Sequence, residues 1–155
     1  MTKETLFIQE QKQLNDWIAE VLKSQKAIAV DTEFMRVKTY FPKLCLVQIA
    51  TEEQLVCIDP LTIEDLSSLS QLLIAPHIVK IFHSASQDLE TLLHALKVFP
   101  TPLFDTQIAV TTLGVVNHMM SYQDLVAHIL NIEIEKDQAR TEWDQRPLSM
   151  QQLRY

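Results

Sequence analysis

A mixed α/β domain is the fold class this sequence predicts, on three observations. The apolar residues switch from helical to alternating period at Ala27, three strand-like runs then follow one another, and from Ile63 onward helices and strands take turns. The 155 residues fit one domain, and no internal repeat, low-complexity stretch or Pro/Gly/Ser linker divides them. Hydrophobic side chains make up 47% of the chain, enough for a core that buries roughly 70% of the unfolded surface, which excludes global disorder.

Between Phe7 and Val21, the residues Phe7, Leu14, Ile18, Val21 and then Leu22 recur at helical spacing, so the first element reads as an amphipathic helix. Ala27 to Glu33 reads as a strand, with Ile28, Val30 and Thr32 on one face and Ala29, Asp31 and Glu33 on the other. Leu44 to Ala50 and Gln54 to Ile58 are two more strands, joined by the short Thr51-Glu52-Glu53, which predicts an antiparallel meander of three strands. A helix over Ile63 to Ile74, a strand at Ile78 to Phe82 and a helix over Gln87 to Lys97 form the alternation that goes with parallel pairing. Leu103 and Phe104 add a short edge strand before a helix from Thr106 that stops at Gly114. The tail is helical, and Ser149 to Gln152, flanked by Leu148 and Leu153, has the form of a capping box with its hydrophobic staple. Only six residues follow that cap, which predicts that the natural chain is longer and that 1–155 is one domain cut at its C-terminal end.

Composition narrows the function. Thirteen Lys and Arg stand against 20 Asp and Glu, a formal charge of −7, which disfavours a duplex-wrapping protein held by counterion release. A single glycine leaves no glycine-rich loop to cradle phosphates, and no small-molecule cofactor is expected. Cys45 and Cys57 lack CxxC spacing and read as reduced thiols of a cytoplasmic protein; no signal peptide or membrane span is visible. The five histidines show no zinc-ligand spacing, and no GxSxG elbow points to a covalent hydrolase.

The strongest local signal is Asp31-Thr32-Glu33, at the end of an apolar strand. Carboxylates at i and i+2 share a face, and like charges 4 Å apart repel by ~1 to 4 kcal/mol unless a cation intervenes. Such a pair is either a half-buried divalent-metal site or a solvated strand edge. The second signal is His83-Ser84-Ala85-Ser86-Gln87-Asp88-Leu89, between a strand and a helix, where Ser84 and Gln87 read as a capping box. Asp88 then either complements the helix dipole or joins Asp31 and Glu33 beyond the carboxyl ends of the strands. Asp105 reads as an N-cap ahead of Thr106, and Trp143 as an anchor for the C-terminal segment. Phe34 to Thr51 contains Arg36, Lys38 and Lys43 but no carboxylate, with Phe34, Tyr40 and Phe41 interleaved. That composition suits either a strip for single-stranded RNA or a surface loop with its rings turned inward.

Val30-Asp31-Thr32-Glu33-Phe34, Leu46-Val47-Gln48-Ile49, His83 to Leu89 and Phe104-Asp105-Thr106-Gln107, followed by Arg140-Thr141-Glu142-Trp143, Arg146-Pro147-Leu148 and Tyr155, resemble in order the blocks of ribonuclease D. The resemblance implies the DnaQ-like, ribonuclease H-like exonuclease fold of the DEDD superfamily, in its tyrosine subclass. It implies 3′-5′ exonuclease activity on RNA with a free 3′ end, tRNA precursors among the substrates, releasing nucleoside 5′-monophosphates with two divalent cations, Mg²⁺ or Mn²⁺. Asp31, Glu33 and Asp88 would hold the ions, and Tyr155 would orient the attacking water or the scissile phosphate. Phe34, Arg36, Lys38, Tyr40, His83, Arg140 and Arg146 would contact RNA, and a monomer is expected. The pattern's fourth carboxylate falls four residues after the tyrosine, past Tyr155, and the helical RNA-binding domains of ribonuclease D fall further on. A catalytically impaired binding fragment and a DNA exonuclease of the same superfamily are the alternative readings.

Overall fold

The computed structural model describes residues 5–37, 39–116, 119–134 and 141–154. Its elements are β1 (Thr5–Ile8), α1 (Gln11–Ser24), β2 (Ala27–Met35), β3 (Lys43–Ala50), β4 (Leu55–Ile58), α2 (Ser67–Ile74), β5 (Val79–Phe82), α3 (Ser86–Leu96), β6 (Leu103–Asp105), α4 (Thr106–Thr112), α5 (Tyr122–Leu130) and a closing 3₁₀ turn, Gln152–Arg154. The six strands form one sheet in the order β1-β4-β3-β2-β5-β6. The meander β2-β3-β4 is antiparallel as the spacing predicts, β2, β5 and β6 pair in parallel, and β1 lies parallel to β4. Only β3 therefore runs against the rest, and the carboxyl ends of five strands meet along one rim of the sheet.

The first element departs from expectation. Thr5–Ile8 is a strand, and the helix begins only at Gln11. Phe7 falls in the same helical frame as Leu14, but edge pairing with β4 supplies backbone partners that a lone first turn of helix lacks. From Leu14 onward the helical spacing holds, and Leu14, Trp17, Ile18 and Val21 enter the core with Ile28, Val30, Val47, Ile49, Leu69, Leu72, Leu73 and Leu92. A second cluster gathers Cys45 and Leu46 of β3 with Trp143 and Leu148, so Trp143 does anchor the C-terminal segment. Cys45 and Cys57 are free. Gly114, at φ 69°, has the left-handed backbone that a residue past the end of α4 needs.

Two buried charges hold this frame, and neither leaves a local trace in the sequence. Lys80 of β5 is fully buried; its ammonium donates to the carbonyls of Ala75, Ile78 and Thr101 at 2.8, 2.7 and 2.6 Å, and burial pushes its pKa down to about 8. Asp59, just past β4, is likewise sealed from solvent and accepts from Nε and Nη2 of Arg146 at 2.6 and 2.7 Å. The same guanidinium donates to the carbonyls of Cys45, Trp143 and Gln145, which fastens the C-terminal segment across the strand ends. That segment closes with the capping box read from the sequence. The Ser149 amide donates to Gln152 Oε1 at 2.8 Å and the Gln152 amide to Ser149 Oγ at 3.2 Å. Among the described residues, no helix is long and apolar enough to cross a membrane.

Candidate active site

Asp31 and Glu33 lie in the second half of β2, just before a bulge between Glu33 and Phe34 that shifts its register against β3. Asp88 arrives from the neighbouring strand, in the first turn of α3. Thr32 joins the two sources. Its amide donates to Asp31 Oδ1 at 3.0 Å and to Asp88 Oδ1 at 3.2 Å, and its hydroxyl donates to the same Asp88 oxygen at 2.6 Å. Two carboxylate oxygens on one amide nitrogen stand within about 6 Å of each other. The other Asp88 oxygen receives nothing from Thr32.

The three carboxyls share one electrostatic neighbourhood. Burial, reinforced by the charges of Asp31 and Asp88, pushes Glu33 up to about 8. Burial also pushes Asp88 up to about 6, with the charge of Asp31 adding and the Thr32 hydrogen bonds opposing. Asp31 is raised too, by burial first, against the Thr32 amide and the nearby His83. The Asp31 side chain has open surface on the groove floor, yet enough protein surrounds it for desolvation to dominate. The groove, about 970 Å³, is lined by Ala29, Asp31, Gln48, His83, Tyr122 and Leu153.

Among the described residues no three Asp, Glu, His or Cys side chains are closed tightly enough to grip an ion as they stand. The donor set nonetheless suits a hard divalent cation: all oxygen, all carboxylate, mutually repelling and held near protonation for want of a counter-charge.

The rim around these carboxylates is fixed by Asp105 and Thr106. Asp105 is the N-cap of α4 as expected, accepting from the amides of Gln107 and Ile108 at 2.8 and 3.3 Å, and it also accepts from the amides of Ser84 and Ala85 at 3.1 and 2.9 Å. The capping box expected from Ser84 and Gln87 does not form: α3 has no side-chain cap of its own. Ser84 adopts φ 59°, a left-handed backbone that costs a non-glycine residue about 1 kcal/mol, and the Asp105 carboxylate takes the amides this bend exposes. Thr106 Oγ1 lies 2.9 Å from His83 Nδ1, while His83 Nε2 lies 3.1 Å from the Met120 carbonyl and the ring meets Tyr122 edge-on.

The other residues expected to contact RNA divide. Tyr40 is 83% exposed and meets Phe41 edge-on, and Phe41 stacks on His94 with centroids 4.1 Å apart. Phe34 is half-buried. Arg36 forms a two-pronged pair with Glu90, at 3.2 and 2.6 Å, and also donates to the Tyr40 carbonyl. Arg146 corrects the expectation made for it: its donors are spent on Asp59 and three carbonyls inside the protein, so it is a structural fastener. Lys38, Arg140 and Tyr155 lie outside the described residues. The sequence reading missed Thr32 and Asp59 because the partners that define them sit 56 and 87 residues away.

A family model described as 3′-5′ exonuclease matches residues 6–155. The chain belongs to the 3′-5′ exonuclease family. It is 42% identical to ribonuclease D of Pseudomonas paraeruginosa over 144 residues, which is 93% of this chain and 37% of that protein. The structure superimposes on crystalline Escherichia coli RNase D with a TM-score of 0.90 and 36% identity, over 100% of this chain and 40% of the other. Brucella melitensis NrnC with bound Mg²⁺ is also similar, at a TM-score of 0.73 and 26% identity, over 100% of this chain and 73% of NrnC. The fold is accordingly the ribonuclease H-like exonuclease fold that the ordered blocks imply, and the chain spans a little over a third of the length of the curated ribonuclease D relative.

Proposed function

We propose that this chain is the catalytic domain of a divalent-metal-dependent 3′-5′ exoribonuclease of the ribonuclease D type. It acts in the cytoplasm as a monomer and trims RNA, the 3′ ends of tRNA precursors included, to nucleoside 5′-monophosphates. The observation that carries the reading is the gathering of Asp31, Glu33 and Asp88 around Thr32 at the strand rim. The similarity to ribonuclease D supports RNA as the substrate, and the Mg²⁺ bound by NrnC supports the choice of cation.

Asp31, Glu33 and Asp88 would hold two Mg²⁺ or Mn²⁺ ions. When bound, such a pair supplies an activated water and charge stabilisation for the entering and leaving oxygens of an in-line displacement. Thr32 immobilises one oxygen of Asp88 and leaves the other to a ligand. Glu33 and Asp88, whose pKa values burial raises, would have to be deprotonated to hold a cation. Tyr155 would orient the scissile phosphate or the water. Exposed Tyr40 offers a ring on which an unpaired base would stack, His83 lines the groove, and Phe34 would add a second ring contact.

The deciding experiment compares the wild-type chain with Asp31→Asn. Mn²⁺ should raise the wild-type melting temperature and permit release of mononucleotides from a 3′-hydroxyl RNA oligomer, ahead of the matching DNA oligomer; the variant should lose both effects. Undiminished nuclease activity in Asp31→Asn overturns the assignment.

A further inference from the structure

We propose that Asp105 is a positioning residue for the site, acting through α3 on Asp88; the inference rests on the metal-dependent reading given above.

Asp105 is 9% exposed and accepts four N–H groups. Oδ1 takes the amides of Ser84, Gln107 and Ile108, and Oδ2 takes the amide of Ala85. These bonds outweigh burial and hold its carboxyl below the usual range, so the group is charged and its lone pairs are committed. A carboxylate in that condition is not a cation ligand. It is a clamp between the starts of two helices.

The geometry makes the clamp consequential. Asp105 ends β6 in register with Phe82, the last residue of β5, so it faces the chain where β5 turns into α3. That turn passes through left-handed Ser84 and uncapped Ala85, and Asp88 follows three residues later in the first turn of α3. Ala85 brings no side-chain cap of its own to the start of α3, and the contact of Asp88 with Thr32 depends on where that start lies. Residues that orient metal ligands without touching the metal typically change metal affinity 10-fold to 100-fold when altered.

Asp105→Ser separates the two halves of the clamp, because serine is a competent N-cap for α4 but too short to reach Ser84 and Ala85. Asp105→Asn is the second variant, keeping Oδ1 while losing the acceptor for Ala85. Val21→Ala, in the core face of α1, is the control for destabilisation alone. Two quantities are read: Mn²⁺ affinity, and hydrogen exchange of the Thr32 amide, which needs no metal. In both Asp105 variants Mn²⁺ affinity should fall at least about 10-fold and Thr32 exchange should quicken about as much relative to Val21→Ala. Affinity and exchange matching the control overturn the proposal. Should the wild-type chain take up no Mn²⁺, the two-ion reading fails, and Thr32 exchange alone then decides whether Asp105 positions Asp88.

Discussion

Thr32 and Asp88, 56 residues apart, are joined by two hydrogen bonds to a single carboxylate oxygen, at 2.6 Å from the hydroxyl and 3.2 Å from the amide. Through this pair, β2 and α3 share one electrostatic environment.

Removing the hydroxyl should therefore be felt at the site and in stability together. Thr32→Val preserves the shape but strips a donor from a buried carboxylate, at a cost of about 1 to 3 kcal/mol. Urea denaturation should show that loss, and Mn²⁺ affinity should drop in parallel. A variant as stable as the wild type would show that the hydroxyl does not hold Asp88.

The metal-free protein should lose stability as pH rises. Below pH 3.8 Asp88 and Glu33 are protonated whether the chain is folded or not, and nothing is lost. Between 3.8 and about 6 for Asp88, and 4.5 and about 8 for Glu33, the unfolded chain releases protons that the folded chain retains, so stability declines with pH and the loss is complete above about 8. Its size is of order a few kcal/mol. Melting curves from pH 4.5 to 8 should show the decline, and Glu33→Gln should flatten it. Mn²⁺ should stabilise increasingly over the same range, because its ligands must be deprotonated.

Breaking the Asp59–Arg146 pair should cost more than any surface ion pair. Arg146→Ala leaves a sealed carboxylate without its counter-charge, a loss of about 3 to 5 kcal/mol. Guanidinium titration measures it, and protease cleavage between residues 141 and 154 should quicken in the variant. A loss under about 1 kcal/mol would contradict the role given to this pair.

Lys80→Met should likewise destabilise although methionine fits the apolar surroundings, since it leaves the carbonyls of Ala75, Ile78 and Thr101 without their shared donor. The expected cost is about 1 to 3 kcal/mol, read from thermal melts.

What the sequence made legible was whatever is specified locally. The alternation around Asp31, the capping box of Ser149 and Gln152, the N-cap at Asp105 and the stop at Gly114 all rest on residues within a few positions of one another, and all are present. Phe7 reads as helical because a four-residue strand is too short to show its own period. The capping box expected at Ser84 failed for a different reason: Asp105, 21 residues on, takes the Ser84 amide. Arg146 read as a basic residue near RNA because nothing nearby in the sequence reveals Asp59. At the site, the identities of Asp31, Glu33 and Asp88 were legible, but their meeting at Thr32 depends on β5 lying beside β2, a matter of topology.

With β3 alone reversed, the β3–β4 hairpin turns at the far end of the sheet from the Asp31–Asp88 corner. That makes Glu52 and Glu53 a natural place for a fluorescent label that reports on what enters the groove. Ala50 and Leu55, on either side of that turn, line the same groove as Asp31, so a reagent there would stand at the groove's other mouth.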